Sequence, residues 1–300
     1  MKRFSLITFI LVFFHFSCSH DDEITVEEHQ LEIAKWHQKQ MESLKSENGW
    51  LNLAGLYWLE EGDNTFGSGN GMDFKIEGDQ FPEKIGVFTL ESGKVYFEPI
   101  VSGIQKNANE LDSKTLIFDP ENGLAENLQL GSLKWVIIKR SDAYGVRLRD
   151  LEAKEVTSFA GVEQFPVDLK WRIIADFVPY IPIKEIPITN VIGQTTPNPS
   201  PGYLEFQVKG QTFRIDAIAS DEDEELFLIF ADETSGGETY GGGRYMYVSR
   251  PDKSGKVILD FNKAYNPPCV YTPHATCPLP PRQNMLSVAI EAGHKNFGDH

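Results

Sequence analysis

Arg244-Tyr245-Met246-Tyr247-Val248-Ser249-Arg250-Pro251-Asp252-Lys253-Ser254-Gly255-Lys256-Val257-Ile258-Leu259-Asp260-Phe261-Asn262 reads as strand, turn, strand. Folding about Lys253 sets Arg244 opposite Asn262 and Met246 opposite Asp260. Side chains along a strand alternate between faces with a period of two. On this register Arg244, Asp260 and Asn262 share one face at one end. Tyr245, Tyr247, Val257, Leu259 and Phe261 share the other, an apolar face for a core. A slip of one residue would exchange the two faces.

The flanks carry the densest chemistry in the chain. Upstream, Phe230 leads into Ala231-Asp232-Glu233-Thr234-Ser235-Gly236-Gly237-Glu238-Thr239-Tyr240-Gly241-Gly242-Gly243. Downstream, Lys263-Ala264-Tyr265-Asn266-Pro267-Pro268-Cys269 runs on towards Cys277-Pro278-Leu279-Pro280-Pro281. The Gly-rich loop enters at the end where the 265–269 loop leaves. Asp232, Glu238, Tyr240, Arg244, Asp260, Asn262, Tyr265 and Asn266 are therefore expected to cluster. Arg is a fixed bidentate donor for carboxylate or phosphate, neighbouring carboxylates suit acid–base work, and Gly lets a ligand approach backbone closely. The same residues also fit a structural role, with Arg244 and Asp260 as an ion pair closing one end and the Gly run as a bulged turn. Structural ion-pair networks look no different in sequence.

Outward from this centre the texture stays β. Strand candidates behind residue 151 are 171–179, 184–189, 203–208, 212–219, 225–231, 244–249, 256–262 and 285–291, with 195–202 as a Pro-rich loop. Ahead of it, short candidates recur at 74–76, 86–90, 94–98, 115–118, 133–139 and 144–149, separated by turns, as in a β-sandwich. The expectation is a mainly β chain of two sandwich or barrel units. The first is faintly similar to a forkhead-associated sandwich, without the Arg and Ser-x-x-His pattern that phosphothreonine binding needs. Glu27–Lys45 is the one good helix candidate, with Leu31, Ala34, Met41 and Leu44 as its thin apolar side. The domain reading is 1–17 signal peptide, 18–48 tether and helix, 49–150 sandwich, and 151–300 second β unit.

Met1-Lys2-Arg3 precedes an apolar run from Phe4 to Phe16, the pattern of a secretory signal, too short to span a bilayer. Ser17-Cys18 resembles a bacterial lipobox, with Cys18 as the lipidation site, although His15 stands where a Leu is usual. Ser19-His20-Asp21-Asp22-Glu23 resembles the acidic export tag of Bacteroidetes surface lipoproteins. The expectation is an outer-membrane lipoprotein on the periplasmic or surface face. The formal charge is −16, and removing Lys2 and Arg3 takes it to −18. Such a surface repels phosphate backbones, which argues against nucleic-acid binding.

Familiar catalytic signatures are missing: G-x-S-x-G, S-x-x-K, H-E-x-x-H and the phosphate-cradling loop. Of seven histidines, only His274 and His294 fall within the β units. Asp221-Glu222-Asp223-Glu224-Glu225 reads as a solvated turn, because it lacks the ligand spacing of a calcium loop. Cys269 and Cys277 form an even pair once Cys18 is set aside, and a disulfide suits an oxidising envelope. A metal site with His274 between them has too few ligands and poor spacing. No metal or cofactor is expected.

The chain resembles a bacterial and archaeal family known only as a domain of unknown function, over most of 36–297. The resemblance rests on Gly49-Trp50-Leu51, Gly55-Leu56-Tyr57-Trp58-Leu59, Phe165-Pro166, Thr239-Tyr240-Gly241-Gly242-Gly243-Arg244, and Asp260-Phe261-Asn262 through Tyr265-Asn266-Pro267-Pro268-Cys269 to Cys277-Pro278. It implies no activity; it implies that the C-terminal loops define the family. The leading expectation is recognition of a small polar or anionic ligand, with Arg244 as anchor and Asp260, Asn262 and Tyr240 orienting it. One alternative is a hydrolase using Glu238 or Asp260 as acid–base beside Arg244. Another is a structural envelope module that meets protein partners through loops such as 195–202.

Overall fold

The computed structural model describes residues 24–298, so the signal segment and Cys18 lie outside the described residues. The chain is mainly β behind one N-terminal helix, Val26–Lys45. Thr25 starts that helix as a capping box: its hydroxyl accepts from the Glu28 amide, and the Glu28 carboxylate accepts from the Thr25 amide. The buried side of the helix is His29, Ile33 and Leu44, with Trp36, His37 and Gln40 half-buried between them. Leu31 and Ala34, expected on the apolar side, face solvent. Asp260, Lys263 and His294 lie beneath the helix, so imidazole and indole groups share the contact with Ile33 and Leu44.

Residues 53–150 form two six-stranded sheets over one core. One sheet is ordered Leu53–Trp58, Ala143–Asp150, Leu133–Arg140, Asn127–Leu130, Gln105–Lys106 and Asn109–Glu110. Trp135 projects from it into the opposite sheet, with its ring centroid 5.3 Å from Phe66 and 5.6 Å from Phe97. Trp135, Ile137, Val146 and Leu148 are buried, so their alternating neighbours Val136, Arg147 and Arg149 point out of the sandwich. Gly49 joins helix to sandwich where a Cβ would sit 2.1 Å from the Leu44 carbonyl oxygen.

The C-terminal unit does not close into a barrel. A four-stranded antiparallel sheet runs Gln211–Ala217, Thr195–Val208, Arg172–Thr189, Lys256–Asp260. A separate ribbon pairs Glu225–Phe230 with Arg244–Ser249. Single bridges at Ile218–Phe227 and Tyr245–Tyr265 connect the ribbon to its surroundings.

The expected 244–262 hairpin therefore does not pair with itself. Arg244 lies opposite Phe230, and Asp260 lies opposite Arg172. The turn itself forms, with the Asp252 carboxylate accepting from the Ser254 and Lys256 amides. Each strand leaves it for a different partner, because the two belong to opposite sides of one core. Met246 and Val248 meet Val257, Leu259 and Phe261 in that core. Tyr245 and Tyr247 point the other way, and Tyr247 is 51% exposed.

Two further expectations change. Residues 195–202 are strand, not loop: Thr195–Thr189 through Ser200–Lys184 are antiparallel partners. Pro199 offers its carbonyl to the Ala219 amide, on the side away from the 184–189 strand. Pro197 and Pro199 share that side, so neither is asked to donate to its partner. Residues 285–291 form no ladder strand. Leu286, Val288 and Ile290 alternate into the core as a strand would, but the backbone makes only scattered bonds, such as Leu286 to Ala231 at 2.8 Å.

Candidate functional site

Arg244 is fully buried, aimed into the core of the C-terminal unit. One guanidinium nitrogen donates to the Asp232 carboxylate at 2.6 Å and to the Ile290 carbonyl at 2.9 Å; the other donates to the Ala292 carbonyl. Asp232 also accepts from the Thr234 amide at 2.8 Å and the Thr234 hydroxyl at 2.6 Å. The Thr234 and Thr239 hydroxyls meet at 2.8 Å, closing the Gly-rich loop on itself. Gly243 ends that loop at φ +84°, where a Cβ would lie 2.5 Å from the Phe230 carbonyl oxygen. Burial pulls the Arg244 guanidinium below its ordinary range, against the opposing pull of Asp232. This group is a clamp that ties the loop and strand to the 290–292 segment.

The other expected site residues separate. Glu238 is exposed beside Lys295 at 3.4 Å. Asp260 faces the helix, where its carboxylate meets His29 Nε2 at 2.7 Å with both groups buried. Asn262 donates to Asp260 at 2.8 Å and to the Asp168 carbonyl at 3.0 Å, and accepts from the Asp168 amide at 3.1 Å. Asn266 donates to the Lys295 carbonyl at 2.8 Å. Tyr240 packs with Tyr271 and Phe297. Glu238, Asp260 and Arg244 thus do not face one another.

What does come together is a cleft of about 860 Å³ between three walls. The helix supplies Glu32, Trp36, Gln40 and Ser43, the sandwich supplies Trp50, Arg140 and Arg147, and the C-terminal unit supplies Arg172, Phe227, Tyr245, Tyr247, Asp260, Tyr265 and Asn266. Tyr245 packs edge-on to Tyr265 and Phe227, and Trp36 leans on Tyr265 and His294. Burial pushes the Tyr245 and Tyr265 hydroxyls up, so both stay neutral. Of the three acidic lining groups, Glu32 is held by Lys263 at 2.5 Å and Asp260 by His29, while Glu225, on the ribbon opposite Ser249, makes no ion pair among the described residues.

Arg147 is the exception in this wall. Its guanidinium lies over the Trp50 ring, 5.7 Å from the centroid. Its Nε is buried without a hydrogen-bond partner, and it makes no ion pair among the described residues. Burial first, then the Arg140 and Arg149 charges, lower it to about 10, which leaves it cationic at neutral pH. Sequence reasoning did not single out Arg147, Trp36 or His29. The alternation of Val146 and Leu148 around Arg147 was the signal that it points outward.

At the helix seam His37 Nδ1 approaches His294 Nε2 at 3.2 Å. Burial, together with the His37 and Arg244 charges, drives His294 down to about 3, and burial lowers His37 as well. Cys269 and Cys277 are joined in a disulfide, which supports the loop behind Tyr265. Among the described residues no group of three His, Cys, Asp or Glu is placed to hold a metal ion.

The Arg244 clamp and the disulfide loop both lie in the half of the chain that a known family covers. Residues 157–295 match the family model of a protein of unknown function, DUF1684. The DUF1684 match spans the C-terminal unit; the helix, Trp50, Arg140 and Arg147 lie ahead of it. An uncharacterized protein from Haloarcula marismortui, solved by solution NMR, is 32% identical over 49% of this chain and 82% of that one, with a TM-score of 0.41. No curated protein matches the chain.

Proposed function

We propose that this chain binds a small organic anion in the cleft, with Arg147 as the charge anchor and the aromatic walls gripping the rest of the ligand. The observation that carries the reading is a half-buried guanidinium with no carboxylate to answer it. Burying a cation is costly unless it is paired. An anion that enters the cleft supplies the missing partner. Ligand sites are commonly concave and mostly apolar, with a few convergent polar groups, and this cleft has that make-up. The N-terminal residues support an envelope lipoprotein anchored through Cys18, which would present the cleft outside the cytoplasm.

The test is a thermal-shift and calorimetric screen of organic anions on the purified protein and on Arg147→Met. Hydrogen bonds to a charged group contribute ~1.5–3 kcal/mol, so the variant should bind at least tenfold more weakly. Its own melting temperature should hold or rise, since an unpaired buried charge is gone. Equal binding by wild type and variant would sink the proposal.

A further inference from the structure

The wall that carries Arg147 holds a second guanidinium, Arg140, exposed at the rim of the cleft. Arg140 and Arg147 stand on adjacent strands of one hairpin, opposite Ala143 and Val136 respectively. Both line the cleft. The other bases on this sheet are already engaged: Lys106 pairs with Glu126 at 3.5 Å, and Lys139 sits over the Tyr144 ring, 5.1 Å from its centroid. Lys134 pairs with Glu47 at 3.2 Å, while Arg149 donates to the Gly49 carbonyl and, at 2.6 Å, to Asn52. Arg140 gives one bond to the neighbouring Lys139 carbonyl and has no carboxylate partner among the described residues. Two guanidiniums without a carboxylate partner among the described residues, one half-buried and one exposed, thus share one wall of a protein whose formal charge is −16. A general excess of bases cannot explain them.

We infer that the anion taken here is a phosphate monoester, its doubly charged group held between Arg140 at the rim and Arg147 inside. This rests on the reading of the cleft as an anion site. A monocarboxylate answers one guanidinium and leaves the other without a partner. A phosphate monoester brings a charge near −2 and three acceptor oxygens, enough for both forks. Trp50 covers Arg147 from one side, and Tyr245, Tyr247 and Trp36 provide surface for an apolar or flat remainder.

Calorimetry with three probes of similar size separates the possibilities: phenyl phosphate is a dianion, phenyl sulfate a tetrahedral monoanion, and benzoate a planar monoanion. Phenyl phosphate should bind at least tenfold more tightly than either. That preference should shrink as pH falls below about 6, where the phosphate takes up its second proton. Arg140→Gln should bring phenyl phosphate down to the level of phenyl sulfate, and Arg147→Met should weaken all three at least tenfold. Arg140 is exposed, so its variant should melt like wild type. Vesicles containing phosphatidic acid carry the same group on a lipid; Arg147-dependent sedimentation with them would support the chemistry and assign it a lipid source. Equal affinity for all three probes, lost in Arg147→Met, would overturn the phosphate assignment and leave the anion site standing. An Arg140→Gln variant with unchanged phosphate affinity would do the same. No binding of any probe to wild type would overturn both.

Discussion

Replacing Arg244 with Met tests whether the most prominent motif in the sequence is a clamp or a ligand anchor. Arg244 is closed to solvent, so the variant leaves the Asp232 carboxylate buried without its cation and strips donors from the Ile290 and Ala292 carbonyls. Breaking one side of a buried ion pair costs ~3–5 kcal/mol. Each orphaned acceptor adds ~1 kcal/mol, although such terms do not sum cleanly. A loss of about 4 kcal/mol is a large part of the 5–15 kcal/mol that stabilises a typical native protein. At roughly 2–4 °C per kcal/mol it lowers the melting temperature by about 10 °C. Asp232→Asn should lose nearly as much, because it leaves Arg244 buried and uncompensated. The double variant should recover at least about 2 kcal/mol of the summed losses, since neither charge then remains. Urea unfolding read from Trp171, buried in the same core, reports the transition. An Arg244→Met protein that melts within about 2 °C of wild type, or two losses that simply add, would refute the clamp. A surface anchor predicts that outcome instead, with stability kept and binding lost.

Acid should loosen the helix seam. His294 is depressed by burial from 6.5 to about 3, so between those values the unfolded chain takes up a proton that the native state refuses. Stability is therefore intact above pH 6.5 and declines below it by ~1.4 kcal/mol per pH unit, reaching ~2 kcal/mol by pH 5. Urea midpoints at pH 7.5 and 5 check this, and His294→Asn should flatten the dependence; an unchanged slope in that variant would count against it. His29→Ala removes a charge-assisted bond to Asp260 and should cost about 1.5–3 kcal/mol, with faster amide exchange across residues 26–45. Exchange confined to other segments would show that His29 does not hold the helix. Replacing both Cys269 and Cys277 with Ser reopens a short loop and should cost ~2–3 kcal/mol by chain entropy. A midpoint equal to that of wild type under oxidising conditions would speak against it.

The β character and the N-terminal helix were legible because both rest on local periodicity. The pairing of 244–249 and 256–260 was not. A turn such as Pro251–Gly255 promises a hairpin, but Arg172–Asp176 from far upstream and Glu225–Phe230 from across the Gly-rich loop take those edges. The buried side of the helix was hidden for a related reason. His29 and His37 look solvated until Asp260 and His294, more than 200 residues on, are set against them. The Gly-rich loop was recognisable as special, yet sequence could not say whether Arg244 pointed outward or into the core. Arg147 could be read as outward-facing. Nothing local told that a second unit and a helix would cover that face and turn an exposed arginine into a half-buried one. The DUF1684 match leaves this part of the cleft outside its span.

The prolines at 197 and 199 bear on how the protein behaves in company. A strand with a free side normally offers a row of amide donors on which another chain can grow. Here Pro197 and Pro199 carry no amide hydrogen on the outward side, and the Pro199 carbonyl is already taken by the Ala219 amide. A guest strand would find no donor at either proline. Along this stretch the arm is a poor template for another chain.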